Sequence, residues 1–383
     1  MGGGLRKPLW SSFHSTAIPK IAAKLVLGGL AKSTHRRYSA AVGHFSEFCD
    51  HMQDDTGVDH PVLLTGHDPW RDEEQLLHYV AYLGWLQGCM ASTVKSKLAA
   101  ISWHHRQNGL PDPVADKARL KAAVRALKRL RGESKSKLAV TPTMLRRIKA
   151  SLDFDKEEHI VLWAGLMLGF FFLMRASEYC AVNGVLDPSK GLTCWKLMPD
   201  DDKGRLATAF EMALALTVLF ESDKTDQNKI GCTRTAYATE SDLCVVEAVK
   251  MLRRMRGSNW HDDHPALMTN SGYVLTREVV SEALRAAAVD CGIPASSLAS
   301  HSLRIGGATA LHAAGWTDED VRRFGRWASD CWRRYVYSNR HEVRGVARSM
   351  ATVDFDVQLS AADFHRRAAQ ERPDPDDESV FAV

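Results

Sequence analysis

Fifteen consecutive residues, Ile160 to Met174, are all apolar or glycine, and the run ends at Arg175. As a helix it rises about 1.5 Å per residue, or roughly 22 Å in all. That falls short of the ~30 Å hydrocarbon core of a bilayer, so the run reads as a helix buried inside protein. Burying it on every side takes a large surrounding core. The chain has 383 residues, 45% of them hydrophobic, enough for two domains with separate cores.

Charge is distributed unevenly. Formal net charge is only +4, yet residues 91–150 hold fifteen Lys and Arg against Asp112, Asp116 and Glu133. A solvated helix face usually mixes both signs, so a field of one sign points to a polyanion. Lys95, Lys97, Arg106, Lys121, Arg125, Lys128, Arg129, Lys135 and Lys137 are the candidate DNA contacts. Residues 1–46 contain no acid, a composition shared by transit peptides and by basic arms that lie on DNA; the second reading is preferred. The eight cysteines are scattered without CxxC spacing. They read as free thiols of a reducing, intracellular compartment, with no zinc site.

Apolar periodicity divides the chain. Residues 1–17 read as a disordered basic arm. Residues 18–131 read as an all-helical domain, with helices expected near 18–30, 33–48, 72–87, 92–108 and 116–131 and a loop over 50–70. The polar GESKSKL stretch lies in a linker placed at 132–140. Residues 141–353 form a second domain. Helices are expected there at 142–152, 157–175, 242–256, 277–291, 301–314, 318–326 and 330–339. Strands are expected at 192–198, 214–220 and 233–239. The polar segment from Glu221 to Gly231 reads as a hairpin tip. Residues 354–383 carry eight acids against three arginines and read as a partly disordered acidic tail.

Several side chains are suited to phosphate chemistry. Arg175 follows the buried helix, and Glu178 shares its face if the helix continues. His301 and Arg304, three apart on one helix, point the same way. An Arg fork fits two phosphate oxygens, and His handles protons near neutral pH. Tyr335 lies on a basic helix with Tyr337 as its competitor. Lys224 sits at the hairpin tip, with Lys229 as its alternative. Taken one at a time, each has an ordinary structural explanation: an Arg-Glu pair, a chance HxxR, a surface tyrosine, a turn lysine.

The order Arg, Lys, His-x-x-Arg, Gly-Arg-Trp, Tyr resembles the tyrosine recombinase (phage integrase) family over roughly residues 20–350. Met174-Arg-Ala-Ser-Glu178 is similar to the family's first arginine box, Ser222 to Gln227 to its hairpin lysine motif, and His301-Ser-Leu-Arg304 to its His-x-x-Arg box. Tyr335 stands ten residues after Gly325, the family's spacing to its nucleophile. The residue after that glycine is usually His or Trp. Here Arg326 is followed by Trp327, a variant resembling recombinases of eukaryotic mobile elements, and either could brace the phosphate.

The resemblance implies a mainly α fold. A helical core-binding (SAM-like) domain would precede an α+β catalytic domain with a small antiparallel sheet, the integrase-like catalytic fold. It implies a transesterification that needs neither metal nor ATP. Tyr335 is the nucleophile, Arg175 and Arg304 stabilise the phosphate, His301 is acid or base, Lys224 protonates the leaving group, and Trp327 or Arg326 braces the site, with Glu178 in support. No cofactor is implied. The expected partner is double-stranded DNA, bound by a homo-tetramer that passes on a C-terminal segment (356–370), with no membrane. The expected location is intracellular, nuclear in a eukaryote. A type IB topoisomerase and a domesticated DNA-binding protein without catalysis are the rival readings.

Overall fold

The computed structural model describes residues 17–132, 137–181, 184–187, 190–221, 231–334 and 336. The chain divides into two compact units, Met1–Lys135 and Ser136–Val383.

The first unit is helical: α1 (Ala17–Gly28), α2 (Lys32–Thr56), α3 (Pro69–Ala81), α4 (Ala91–Gln107) and α5 (Ala118–Arg131). Asp68 caps α3 by accepting from the Arg71 N–H at 3.0 Å, with Pro69 at the first helical position. A π-helical turn, Tyr82–Leu86, extends α3. Helix α2 runs through Asp50 to Thr56, where the sequence suggests a loop, and stops at Gly57 in the left-handed conformation (φ 64°). Phe45, Phe48, Leu76, Tyr79, Leu83, Val94, Ile101, Leu120 and Val124 form its core, each large side chain contributing about 1.5–3 kcal/mol of burial.

The second unit surrounds α7 (Glu157–Phe171), in which every residue from Ile160 to Phe170 is buried. Around it lie α6 (Pro142–Ser151), α9 (Val245–Arg256), α10 (Arg277–Asp290) and α11 (His301–Ala313), with the short α8 (Ala176–Tyr179) and α12 (Asp318–Phe324). The sheet has three antiparallel strands, β1 (Leu197–Asp200), β2 (Ala215–Phe220) and β3 (Cys232–Tyr237), in the order β1-β2-β3. Leu197 pairs with Val218, and Phe220 with Cys232. Leu197, Leu216 and Val218 enter the core. Within the helix expected at 330–339, the described residues Asp330–Arg334 form a 3-10 turn. Among the described residues, no helix is long and apolar enough to cross a membrane.

Candidate active site

The helix expected over 157–175 breaks early. Helix α7 ends at Phe171, and Leu173 takes a left-handed backbone (φ 50°), a strained state for a side chain of its size. The chain leaves this turn extended, so Arg175 (φ −77°, ψ 142°) becomes the N-cap of α8. Glu178 closes the cap: its Oε2 accepts the Arg175 backbone N–H at 2.9 Å, and its Oε1 accepts from Arg175 Nη1 at 3.1 Å. The carboxylate is buried, whereas the Arg175 side chain is 19% exposed. Arg175 therefore opens one element instead of ending another.

Helix α11 supplies the next two groups. Without a side chain, Gly306 lets it approach the Val140 backbone and Gly307 lets it approach α7. A Cβ on Gly306 would meet the Val140 carbonyl oxygen at 2.2 Å, and one on Gly307 the Phe170 carbonyl oxygen at 2.2 Å. Arg304 is buried and donates to the carbonyls of Leu173 and, at 2.5 Å, Gly325. Its guanidinium lies 4.3 Å from the Trp327 ring centroid, within cation–π range. His301, the first residue of α11, is half-buried. Burial depresses its proton affinity most, followed by the charges of Arg304, Arg175 and Arg277, all of which favour the neutral ring.

The turn after α12 holds the position where the sequence departs from the family pattern. Arg326 has φ 60°, a conformation that costs a side chain about 1–3 kcal/mol. Its fork spans Glu178, Nη1 to Oε1 at 3.1 Å and Nη2 to Oε2 at 2.9 Å. Its guanidinium lies 3.6 Å from the Phe220 ring centroid. Glu178 thus joins two arginines. Burial pushes its carboxyl up, but Arg326 and then Arg175 outweigh burial and hold it below the ordinary value. Trp327 packs with Leu173, Ala308, Val321 and Trp332 in a small cluster of its own.

The sequence motifs do not single out Arg234. It lies on the half-buried face of β3 with Cys232 and Ala236, donates to the Phe324 carbonyl at 3.1 Å and binds the Arg323 carbonyl, and so caps the end of α12. An Arg on the inward side of an alternating strand is the signal that could have found it. Lys224, Lys229, Tyr335 and Tyr337 lie outside the described residues. Phe220, the Arg326 partner, is the last residue of the strand leading to the Lys224 segment.

In the first unit, Lys95 of α4 and Lys121 and Arg125 of α5 line one groove of about 550 Å³, floored by Leu98, Leu120 and Val124. Lys121, Arg125, Lys128 and Arg129 recur at helical spacing and are exposed. The other candidates differ. Lys97 is half-buried, Arg106 lies 3.8 Å from Asp112, and Lys137 donates to the Ser296 carbonyl at 2.5 Å in the second unit. Lys135 lies outside the described residues.

No protein-family model matches the sequence, and no curated protein matches it. Solved structures do. XerH site-specific recombinase bound to a palindromic difH substrate (post-cleavage complex) is similar with a TM-score of 0.54, at 15% identity, over 83% of this chain and 80% of that one. A lambda integrase tetramer bound to a Holliday junction matches at 0.48 and 13% identity, over 88% and 82%. The Tn1549 transposon integrase with its right-end DNA matches at 0.46 and 13%, over 82% and 99%. The mainly helical architecture, the three-stranded antiparallel sheet and the likeness to XerH agree: the chain has the integrase-like fold of the tyrosine recombinases.

Proposed function

We propose that this protein is a site-specific DNA recombinase that cuts and rejoins double-stranded DNA through a 3′-phosphotyrosine. The observation that carries the reading is the convergence of Arg175, His301 and Arg304 beside Trp327 in a chain of this fold. Arg175 comes from the N-cap of α8 and His301 and Arg304 from α11, and Glu178 holds two guanidiniums, those of Arg175 and Arg326. The excess of positive charge suits an anionic phosphodiester.

In this reading the Tyr335 phenol attacks the scissile phosphorus. A bond forms between the tyrosine oxygen and phosphorus as the bond to the 5′ oxygen breaks. Arg175 and Arg304 stabilise the charge on the non-bridging oxygens. His301 assists as acid or base, taking the phenol proton when it acts as base, and Lys224 gives the leaving 5′ oxygen its proton. A phosphodiester is exchanged for a phosphodiester, so the reverse step needs no energy source. Arg304 is only 1% exposed, so its contact with a phosphate requires the groups covering it to shift when DNA binds. The groove of Lys95, Lys121 and Arg125 contributes sequence-independent affinity for the DNA backbone. A homo-tetramer on DNA is the assembly the family resemblance implies.

The test is product topology. A supercoiled plasmid carrying two copies of the DNA that flanks the coding sequence is incubated with the protein. Recombined or joined circles support the proposal; relaxation alone, regardless of sequence, favours the topoisomerase reading.

A further inference from the structure

The geometry points to Arg326 as a positioning residue, which fixes the Arg175 guanidinium through Glu178 instead of binding phosphate itself. This rests on the recombinase reading above and assigns a task to the one position that departs from the family pattern.

Three observations carry it. First, both arms of the Arg326 fork are on the Glu178 carboxylate, at 3.1 and 2.9 Å. The Nη1–Nη2 edge of the fork is therefore occupied by a carboxylate and is not turned to a phosphate. Second, the Arg326 side chain is 4% exposed, against 19% for Arg175. The Phe220 ring, 3.6 Å away at its centroid, covers the guanidinium. Third, Glu178 holds Arg175 twice, through the backbone N–H at 2.9 Å and the side chain at 3.1 Å. The carboxylate can orient Arg175 only if it is itself fixed, and Arg326 fixes it from 148 positions away in sequence.

The arrangement also ties together parts of the unit that are far apart in the chain. The turn carrying Arg326 also provides the Gly325 carbonyl to Arg304 and the Trp327 ring beside it. Phe220 ends β2, the strand that leads to the Lys224 segment. One buried side chain thus links the first arginine, the second arginine and the base of the hairpin. A positively charged group is needed there because Glu178 is buried, and an unpaired buried carboxylate is costly. A guanidinium is needed in preference to an ammonium because the contact is a flat fork stacked on a ring.

The experiment combines two readouts on the full chain. Nε–Hε signals of arginine are followed by NMR, with the Arg175 signal assigned from its loss in Arg175→Lys. Single-turnover cleavage is measured on a nicked duplex from the flanking DNA. Arg326→Leu is expected to speed exchange of the Arg175 Nε proton with water about tenfold, while circular dichroism reports an intact fold. It is expected to slow cleavage about 100-fold, the scale of a 1 Å misplacement, with Kd for the duplex unchanged. Glu178→Gln should have a similar effect, and the double variant should be no worse than the weaker single by more than about twofold. Arg326→Lys, which keeps the charge but not the fork, should recover part of the rate and serves if the leucine variant does not fold. An unchanged Arg175 signal in Arg326→Leu and Arg326→Lys overturns the proposal, as do rate losses that multiply in the double variant together with weakened DNA binding. If the wild-type chain forms no cleavage product at all, the recombinase reading fails, and the Arg175 signal alone decides whether Arg326 positions it.

Discussion

The Arg304 guanidinium lies 4.3 Å from the Trp327 ring centroid and donates to the Gly325 carbonyl, two residues before that tryptophan. One turn therefore holds the second arginine from two directions. Gly325 makes this possible, because a Cβ there would sit 1.7 Å from a Trp327 ring carbon.

Removing the ring should free Arg304 and open a cavity. Trp327→Ala is expected to cost about 3–5 kcal/mol in urea unfolding and to reduce single-turnover cleavage more than tenfold. Trp327→Phe keeps an aromatic face beside Arg304 and should lose less of both. Equal losses in the two variants would mean that the stacked face is irrelevant.

Two glycine substitutions should have opposite signs. Gly306→Ala drives a methyl into the Val140 carbonyl, 2.2 Å away, and should destabilise by about 1–3 kcal/mol. Gly43, inside α2, has nothing within 4 Å of an added Cβ. Gly43→Ala should raise stability by about 0.5–1 kcal/mol, because alanine loses less backbone entropy in a helix. Denaturant midpoints of the two variants, moving in opposite directions, are the check.

The site gives stability a pH dependence through His301. Burial and the charges of Arg304, Arg175 and Arg277 lower its pKa from the ordinary 6.5. The unfolded chain then binds a proton at His301 more readily than the folded chain does, so stability rises with pH between the folded and unfolded pKa values. Above the unfolded value the effect vanishes; below about 6.5 stability declines. The melting temperature should fall on acidification from about pH 7 to about pH 5.5, and the fall should be smaller in His301→Gln. An identical decline in that variant would assign the effect to other groups.

The basic groove predicts a particular salt response. Lys121→Ala with Arg125→Ala should weaken binding to duplexes of any sequence. The slope of log K against log salt should become shallower by about 0.9 for each DNA phosphate that the variant leaves without a cation. Arg119→Ala is the control, since that side chain is held by Glu74 at 2.5 Å and lies over Trp70. A slope unchanged in the double variant would remove α5 from the interface.

Local patterns are legible in the sequence, and distant partnerships are not. The run from Ile160 to Met174 announces a buried helix because its apolar character is continuous. Helical spacing alone pairs His301 with Arg304. The end of α7 cannot be placed from sequence because the left-handed turn at Leu173 carries no glycine; its carbonyl is turned to serve Arg304, 131 positions later. Arg326 and Glu178 cannot be paired from sequence either, since no local rule links positions 148 apart. Strand alternation can mark Arg234 as inward-facing, but its partners cannot be read from it, because they are the carbonyls of Arg323 and Phe324 on another element.

The central claim is a covalent tyrosine intermediate. The direct measurement is an adduct, seen on a denaturing gel, between the full chain and a nicked duplex from the DNA flanking the coding sequence. Wild type should form an adduct whose peptide map places the 3′-phosphate on Tyr335, and Tyr335→Phe should form none. An adduct that survives Tyr335→Phe and disappears in Tyr337→Phe would contradict the assigned nucleophile, and the absence of any adduct with wild type would contradict strand transfer by this protein.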